Sequence, residues 1–237
     1  MNNLKFIKLV EKTYSNLNYN QKKLRIHINT DISRFDNWIN QVNDIKPIKN
    51  SIVLSSGCGS AGDLFYFLKK GSKQVFGIET SVQSAKLAKA RLSEFPSRKY
   101  KIDTYNGNKL PYKNNKFDIV FSMHVIEHTT SPYLYLDELV RVVNKNGIIY
   151  LELPNKYYPK EQHANQLFIH WIPYSLSRFL IHINVFRSSY NLVNFLSPIS
   201  IYNYLRKNKN IKILESSVHS YDNDNHDLKF PFLIYAN

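Results

Sequence analysis

The sequence predicts a doubly wound α/β fold on a mostly parallel sheet. Three observations carry that expectation. Short apolar runs alternate with helical patterns from residue 51 to 153, and alternation at this spacing places helices on both faces of a parallel sheet. Gly57, Gly59 and Gly62 follow the first run at GxGxxG spacing, as where a strand turns tightly into a helix and brings backbone N–H groups close to a ligand. Phe117-Asp-Ile-Val-Phe-Ser-Met123 reads as a central strand buried on both faces.

Taken in order, Leu4, Ile7, Val10, Tyr14 and Leu17 recur at helical spacing and predict an amphipathic helix. Asp31 can cap a second, in which Ile32, Phe35, Trp38, Ile39, Val42 and Ile45 form one stripe and which Pro47 stops. Both are expected to cover the sheet. Strand Ser51–Ser56 leads to helix Gly62–Lys70, and strand Gln74–Glu79 to helix Val82–Phe95, with strand Tyr100–Tyr105 next. After strand Phe117–Met123, Ser131-Pro132 offers an N-cap and first-turn pair for a helix to Val143. Asn144-Lys-Asn-Gly147 is expected to turn the chain into strand Ile148–Leu153. Ser197-Pro198 starts a further helix to about Lys207, and Ile211–His219 and Phe230–Ala236 predict two closing strands around the acidic loop Tyr221–Asp227.

Lysine and arginine number 32 against 18 aspartates and glutamates, a net charge of +14. The excess is spread along the chain: 9 against 4 over residues 1–50, 14 against 9 over 51–153, and 9 against 5 over 154–237. An even spread favours a generally basic surface over one nucleic-acid patch. Residues 1–29 carry Lys5, Lys8, Lys12, Lys22, Lys23 and Arg25 against Glu11, which reads as a solvated helix face. The one cysteine, Cys58, excludes an internal disulfide and a multi-cysteine zinc site, so no metal is expected. Neither a signal-peptide pattern nor a run of 18 uncharged apolar residues is present. A cytoplasmic protein, at most peripheral to a membrane, is the expectation.

Glu79 ends the second strand 17 residues after Gly62, where a carboxylate can accept both hydroxyls of a ribose. Further segments follow in order: Asn106-Gly-Asn-Lys-Leu-Pro-Tyr112, Lys116-Phe-Asp-Ile-Val-Phe121, Val125-Ile-Glu-His128, Arg141-Val-Val-Asn-Lys-Asn-Gly147 and Leu151-Glu-Leu-Pro-Asn155. Over roughly residues 50 to 155 this ordered set resembles the class I S-adenosylmethionine-dependent methyltransferases, of the group with an LPF-type loop, an FD strand and an EH pair. The resemblance implies a Rossmann-like sheet of seven strands, parallel except for one near the C-terminus. It implies a nucleoside cofactor, S-adenosylmethionine, with Gly57, Gly59 and Gly62 around its methionine end, beside Ser55 and Cys58. Glu79, with Thr80 next to it, would hold the ribose. Asn106 or Asn108 would take the adenine amino group in place of a usual aspartate, and Met123 and His124 would line the sulfonium and substrate mouth. Ser55 departs from the family, which places an acid there to face the cofactor's charged amino group.

A hydroxyl acceptor would benefit from a general base, and His128, His163 and His170 are the candidates. Asn155-Lys-Tyr-Tyr-Pro159, Glu161-Gln-His163 and Phe168-Ile-His-Trp-Ile-Pro173 show a weaker resemblance to glycan-pathway methyltransferases. The expected organisation is an N-terminal helical cover over 1–49, an S-adenosylmethionine-binding core over 50–155, a substrate-covering lid over 156–210 and closing strands over 211–237. The expected activity is methyl transfer to oxygen on a small molecule, sugar or lipid-linked acceptor.

Three rivals stand beside it. Tyr112-Lys-Asn-Asn-Lys116 spells the YxxxK pair of a nicotinamide-dependent dehydrogenase, but Pro111 and two asparagines make it a loop, without the helical turn that stacks such a pair. Nucleic-acid methylation is favoured by the charge, although Ser-Met-His-Val stands where base methyltransferases carry NPPY or DPPY. A catalytically inactive interaction protein would use the segment Gln162–Leu214, which holds no Asp or Glu, as a partner or membrane-surface patch. Tyr174–Ile183 is the part of it suited to a bilayer interface.

Overall fold

The computed structural model describes residues 4–105, 109–161, 166–169, 171–183, 194, 196–216, 219–221 and 227–236. Helices α1 (Leu4–Thr13), α2 (Tyr19–Thr30) and α3 (Asp36–Ile45) come first. The alternation then runs β1 (Ile52–Ser56), α4 (Gly62–Lys69), β2 (Gln74–Glu79), α5 (Val82–Leu92), β3 (Tyr100–Thr104), β4 (Phe117–Met123), α6 (Pro132–Val142) and β5 (Val143–Pro154). The remainder comprises β6 (Lys160–Glu161), β7 (Gln166–Leu167), α7 (Tyr174–His182), α8 (Pro198–Leu205), β8 (Ile211–Ser216), β9 (His219–Tyr221) and β10 (Asp227–Ala236).

The sheet order is β3-β2-β1-β4-β5-β10-β8, seven strands, with β9 continuing the β8 edge along the first residues of β10. The pairings among β3, β2, β1, β4 and β5 are parallel, and β10 is antiparallel to both its neighbours. Chain order reverses direction between β1 and β4, which opens a crevice at their carboxyl ends.

Side chains alternate across the pleat, so each central strand feeds both layers. Val53, Val75, Ile119, Phe121 and Tyr150 pack with Trp38, Ile39, Val42, Leu64, Phe67, Ala85 and Ala88 on one face. Leu54, Phe76, Val120, Ile149, Leu151 and Phe232 pack with Leu136, Leu139, Ile201 and Leu205 on the other. The sheet is therefore covered by α3, α4 and α5 on one side and by α6 and α8 on the other. Asp118, polar in an apolar strand, accepts the Ile52 N–H (2.8 Å) and the Asn144 side-chain amide (2.9 Å), tying β1 and β5 to β4.

Several elements differ from expectation. Helix α2 was not foreseen, because its sequence YNQKKLRIHINT has little apolar stripe to bury. Asn18 caps it, and Asp31, instead of capping α3, accepts the N–H and hydroxyl of Ser33 at the start of a 3₁₀ turn, Ser33–Phe35, that precedes α3. Helix α1 buries Phe6 and Val10 against Leu87 of α5 and so stands on that helix; α3 alone of the three covers the sheet. Asn144–Gly147 forms a bulge inside β5, not a turn ahead of it. Val143 already pairs with Phe117, the register shifts before Ile119, and Asn146 adopts φ +60°. Helix α8 belongs to the core through Ile201 and Leu205, leaving the β6–β7 hairpin and α7 as the insertion after β5. The expected strand Ile211–His219 is divided between β8 and β9, and β10 starts three residues early, at Asp227.

Candidate functional site

The strand-to-helix turn after β1 is built from left-handed backbone. Gly57 (φ +74°), Gly59 (φ +51°) and Ala61 (φ +59°) all adopt positive φ, and Ala61 occupies the N-cap of α4. The third left-handed position thus falls on Ala61, not on Gly62. Gly62 is required for packing, since a Cβ there would meet the Phe35 ring at 2.7 Å. A Cβ on Gly57 would overlap Val125 at 2.2 Å. Gly59 differs: a Cβ there would meet nothing within 4 Å, so this glycine faces open space.

The turn's N–H groups are largely committed to β2. Gly57 and Cys58 both donate to the Ile78 carbonyl (2.9 and 3.0 Å), and Gly59 donates to Glu79 Oε2 (2.8 Å). Glu79 Oε1 accepts the Ser81 N–H at 2.9 Å and the Thr80 hydroxyl at 3.3 Å. The carboxylate at the tip of β2 therefore clamps the glycine turn to the start of α5. The Cys58 thiol points into the core beneath Gly77; burial first, then Asp63 and Glu79, push its pKa well above the usual thiol range. A thiol held neutral in this way is no nucleophile.

Ser55, where an acid was missing, has one beside it. Its buried hydroxyl donates to Asp63 Oδ2 at 2.5 Å, and Asp63, itself buried, also accepts the Leu64 N–H. Ser55, Gly57, Gly59, Gly62 and Asp63 line one hollow of about 200 Å³ with Met123 and His124. A second, of about 360 Å³, lies across Gly57 and His124 from it and is walled by Glu79, Thr80, Leu110, Val125, His128 and Tyr135. Its volume is within the range of small-molecule sites. None of the described residues lining it is lysine or arginine.

His124 stands at the junction of the two hollows in left-handed backbone (φ +53°). Its Nε2 lies 2.8 Å from Glu152 Oε1, and its Nδ1 lies 3.6 Å from Glu127 Oε1. Both carboxylates are buried, and Tyr150 donates to the other Glu152 oxygen at 3.2 Å. His128 is half-exposed at the cleft wall, 3.9 Å from the same Glu127 oxygen. Below them the Tyr135 hydroxyl donates to Ser56 Oγ and shares a hydrogen bond with Ser122 Oγ, each 2.8 Å. Burial, opposed by those two serines, pushes Tyr135 up to about 12, so it stays a neutral donor.

Of the expected site residues, Ser55, Gly57, Cys58, Gly59, Gly62, Glu79, Thr80, Met123, His124 and His128 converge on these hollows. Asn106, Asn108, His163 and His170 lie outside the described residues. Tyr112 and Lys116 pack away from the crevice, with the lysine amino group over the Phe76 and Tyr112 rings (3.8 and 4.5 Å). Sequence reasoning missed Asp63, Glu127, Tyr135 and Glu152 as site residues. Glu127 and Glu152 were in view within quoted segments, and an acid inside an otherwise apolar strand is the signal that singles out Glu152.

Residues 54–151 match the methyltransferase domain family. A tRNA U34 carboxymethyltransferase of Vibrio cholerae is 34% identical over 134 residues, which cover 54% of this chain and 39% of that one. A ubiquinone biosynthesis O-methyltransferase of Pelagibacter ubique is 30% identical over 112 residues, 47% of this chain and 45% of that one. The chain thus aligns with less than half the length of either relative. Among solved structures, an S-adenosylmethionine-dependent methyltransferase from Mesorhizobium loti aligns with a TM-score of 0.66 at 10% identity, covering 86% of this chain and all of that one. Magnesium protoporphyrin IX methyltransferase from Synechocystis with bound S-adenosylhomocysteine gives 0.62 at 14% identity, covering 99% and 96%.

Proposed function

We propose, from the match of residues 54–151 to the methyltransferase domain family and the class I methyltransferase topology of the sheet, that this chain uses S-adenosylmethionine to methylate oxygen on an uncharged hydroxyl-bearing acceptor, such as a small molecule, a sugar or a lipid-linked intermediate. The observation that carries the reading is the crevice at the carboxyl ends of β1, β2 and β4, which holds the Glu79 carboxylate and the His124 imidazole together.

The residues present fit the cofactor. Gly59 leaves room where a side chain would intrude. Glu79 Oε2 accepts only the Gly59 N–H among the bonds described, and a carboxylate oxygen has lone pairs enough for a ribose hydroxyl as well. Asp63, through its bond to Ser55, supplies a negative charge beside the turn for the amino group. Asn106 or Asn108 takes the adenine amino group on the strength of the resemblance. When bound, S-adenosylmethionine supplies an electrophilic methyl group, and the chain's contribution is alignment and proton removal.

The His124 imidazole is suited to that second task. With Nε2 turned to Glu152 Oε1 at 2.8 Å, Nδ1 is the nitrogen left to take the acceptor's proton, and the two buried carboxylates, Glu152 and Glu127, stabilise the resulting imidazolium. His128 shares Glu127 and lines the acceptor side of the same crevice.

A nucleic-acid acceptor is the second reading. It draws on the similarity to proteins named tRNA U34 carboxymethyltransferase and on the +14 charge. Calorimetry with S-adenosylhomocysteine tests the cofactor assignment: the parent binds, and Glu79→Gln binds at least about tenfold more weakly, the loss of one or two good hydrogen bonds. Equal affinity in both would discredit the role of Glu79. Transfer of labelled methyl groups is then followed in parallel into total RNA and into glycan and lipid extracts. Label in RNA alone overturns the hydroxyl-acceptor reading.

A further inference from the structure

The insertion after β5 presents a helix turned inside out. On α7, Ser177 is fully buried and donates to the Ile169 carbonyl at 2.8 Å, while Leu176, Phe179 and Ile183, spaced along one face, point to solvent. Phe179 is 57% exposed. Leading into the helix, Leu167 (60%), Phe168 and Trp171 (52%) are exposed as well. Phe168 and Trp171 pack ring on ring at 4.9 Å, and the Trp171 indole N–H is held by the Lys156 carbonyl at 2.9 Å. Single exposed apolar residues are ordinary on a protein surface. Six large ones fall within residues 167–183, two of them packed ring on ring and three along one face of α7, and exposed apolar clusters of that kind mark interaction sites.

Charge selects the occupant. Between residues 155 and 183 the chain carries Lys156, Lys160 and Arg178 against Glu161, and the whole chain is +14. A second copy would bring the same positive charge and be repelled, whereas a negatively charged surface is attracted. Two aromatic rings, an anchored indole and an aliphatic stripe, in a basic context, match the chemistry of the bilayer interface, where amphipathic rings sit at headgroup depth. No helix among the described residues is long and apolar enough to cross a membrane, so the contact is with one leaflet.

We propose that the Leu167–Ile183 face seats the protein on an anionic lipid bilayer. This goes beyond methyl transfer and needs neither donor nor acceptor bound. The test floats the full chain with phosphatidylcholine vesicles, with and without phosphatidylglycerol, some carrying brominated acyl chains. The parent is expected to float with the anionic vesicles, and brominated lipid is expected to quench Trp171 while sparing the buried Trp38. Leu176→Glu combined with Phe179→Glu should reduce the partition at least about tenfold, with unchanged affinity for S-adenosylhomocysteine. That affinity reads the cofactor assignment separately, so either reading can fail alone. A parent that does not float, a double variant that floats equally, or flotation without Trp171 quenching overturns the proposal. So does a concentration-dependent dimer that the double variant abolishes.

Discussion

Gly59 separates what the fold needs from what a ligand needs. Its left-handed backbone would cost an alanine about 1–2 kcal/mol, yet the added methyl group would touch nothing in the protein. Gly59→Ala is therefore expected to lower the melting temperature by only a few degrees, while reducing affinity for S-adenosylhomocysteine at least about tenfold by filling the space beside Glu79. Thermal denaturation and calorimetry on the same sample check both halves. Gly57→Ala is the contrast, because its methyl group would collide with Val125 inside the protein, and its loss falls on stability first. These glycines and Glu79 were legible in the sequence because a tight turn and a strand tip are local features. Asp63 as the partner of Ser55 was not, because their bond depends on how α4 lies against β1.

Two networks join elements across the site. Arg91 on α5 is fully buried; it donates to the Ser60 carbonyl at 2.6 Å, to Ser60 Oγ at 3.1 Å and to the Asn29 carbonyl, and it stacks on Phe6 at 4.3 Å. One side chain thus fastens α1 and α2 to the glycine turn. Arg91→Met keeps the volume and leaves buried carbonyls without their donor, at a cost of about 2–4 kcal/mol. Urea denaturation should show that loss, and calorimetry a weaker hold on S-adenosylhomocysteine because Ser60 is freed. On the opposite layer, Arg141 makes two 2.6 Å contacts to Glu138 and donates to the Leu110 and Tyr112 carbonyls, fastening the loop before β4 to α6. The Arg141 guanidinium holds the Glu138 carboxyl below its ordinary value. That stabilisation is complete above the unfolded carboxylate range, near about pH 4.3, and is lost as pH falls through the lowered folded value. Arg141→Ala should cost about 1–3 kcal/mol at neutral pH and flatten the decline in melting temperature below pH 5. Arg141 opens one of the segments that carry the resemblance, but its partners were not legible, and Arg91 reads in the sequence as one more surface cation at the end of a helix. Its burial arises from α1 and α2 packing on α5, and α2 has too weak an apolar stripe to betray that contact.

At the level of the whole molecule, the alternation of strands and helices was readable because the central strands are buried on both faces and carry near-continuous apolar runs. The bulge in β5 was misread as a turn because Asn144-Lys-Asn-Gly147 has turn chemistry, and pairing across to β4 overrides it. The order of strands has a further consequence, for biosynthesis. β10 lies between β5 and β8 and bonds to both, yet it leaves the ribosome after either of them. Until it arrives, β5 offers a naked hydrogen-bonding edge and β8 has nowhere in the sheet to dock. The nascent chain must therefore keep a gap open in its own middle, and it is at that gap, before the late strand slots home, that it is most exposed to joining a neighbour's sheet and precipitating.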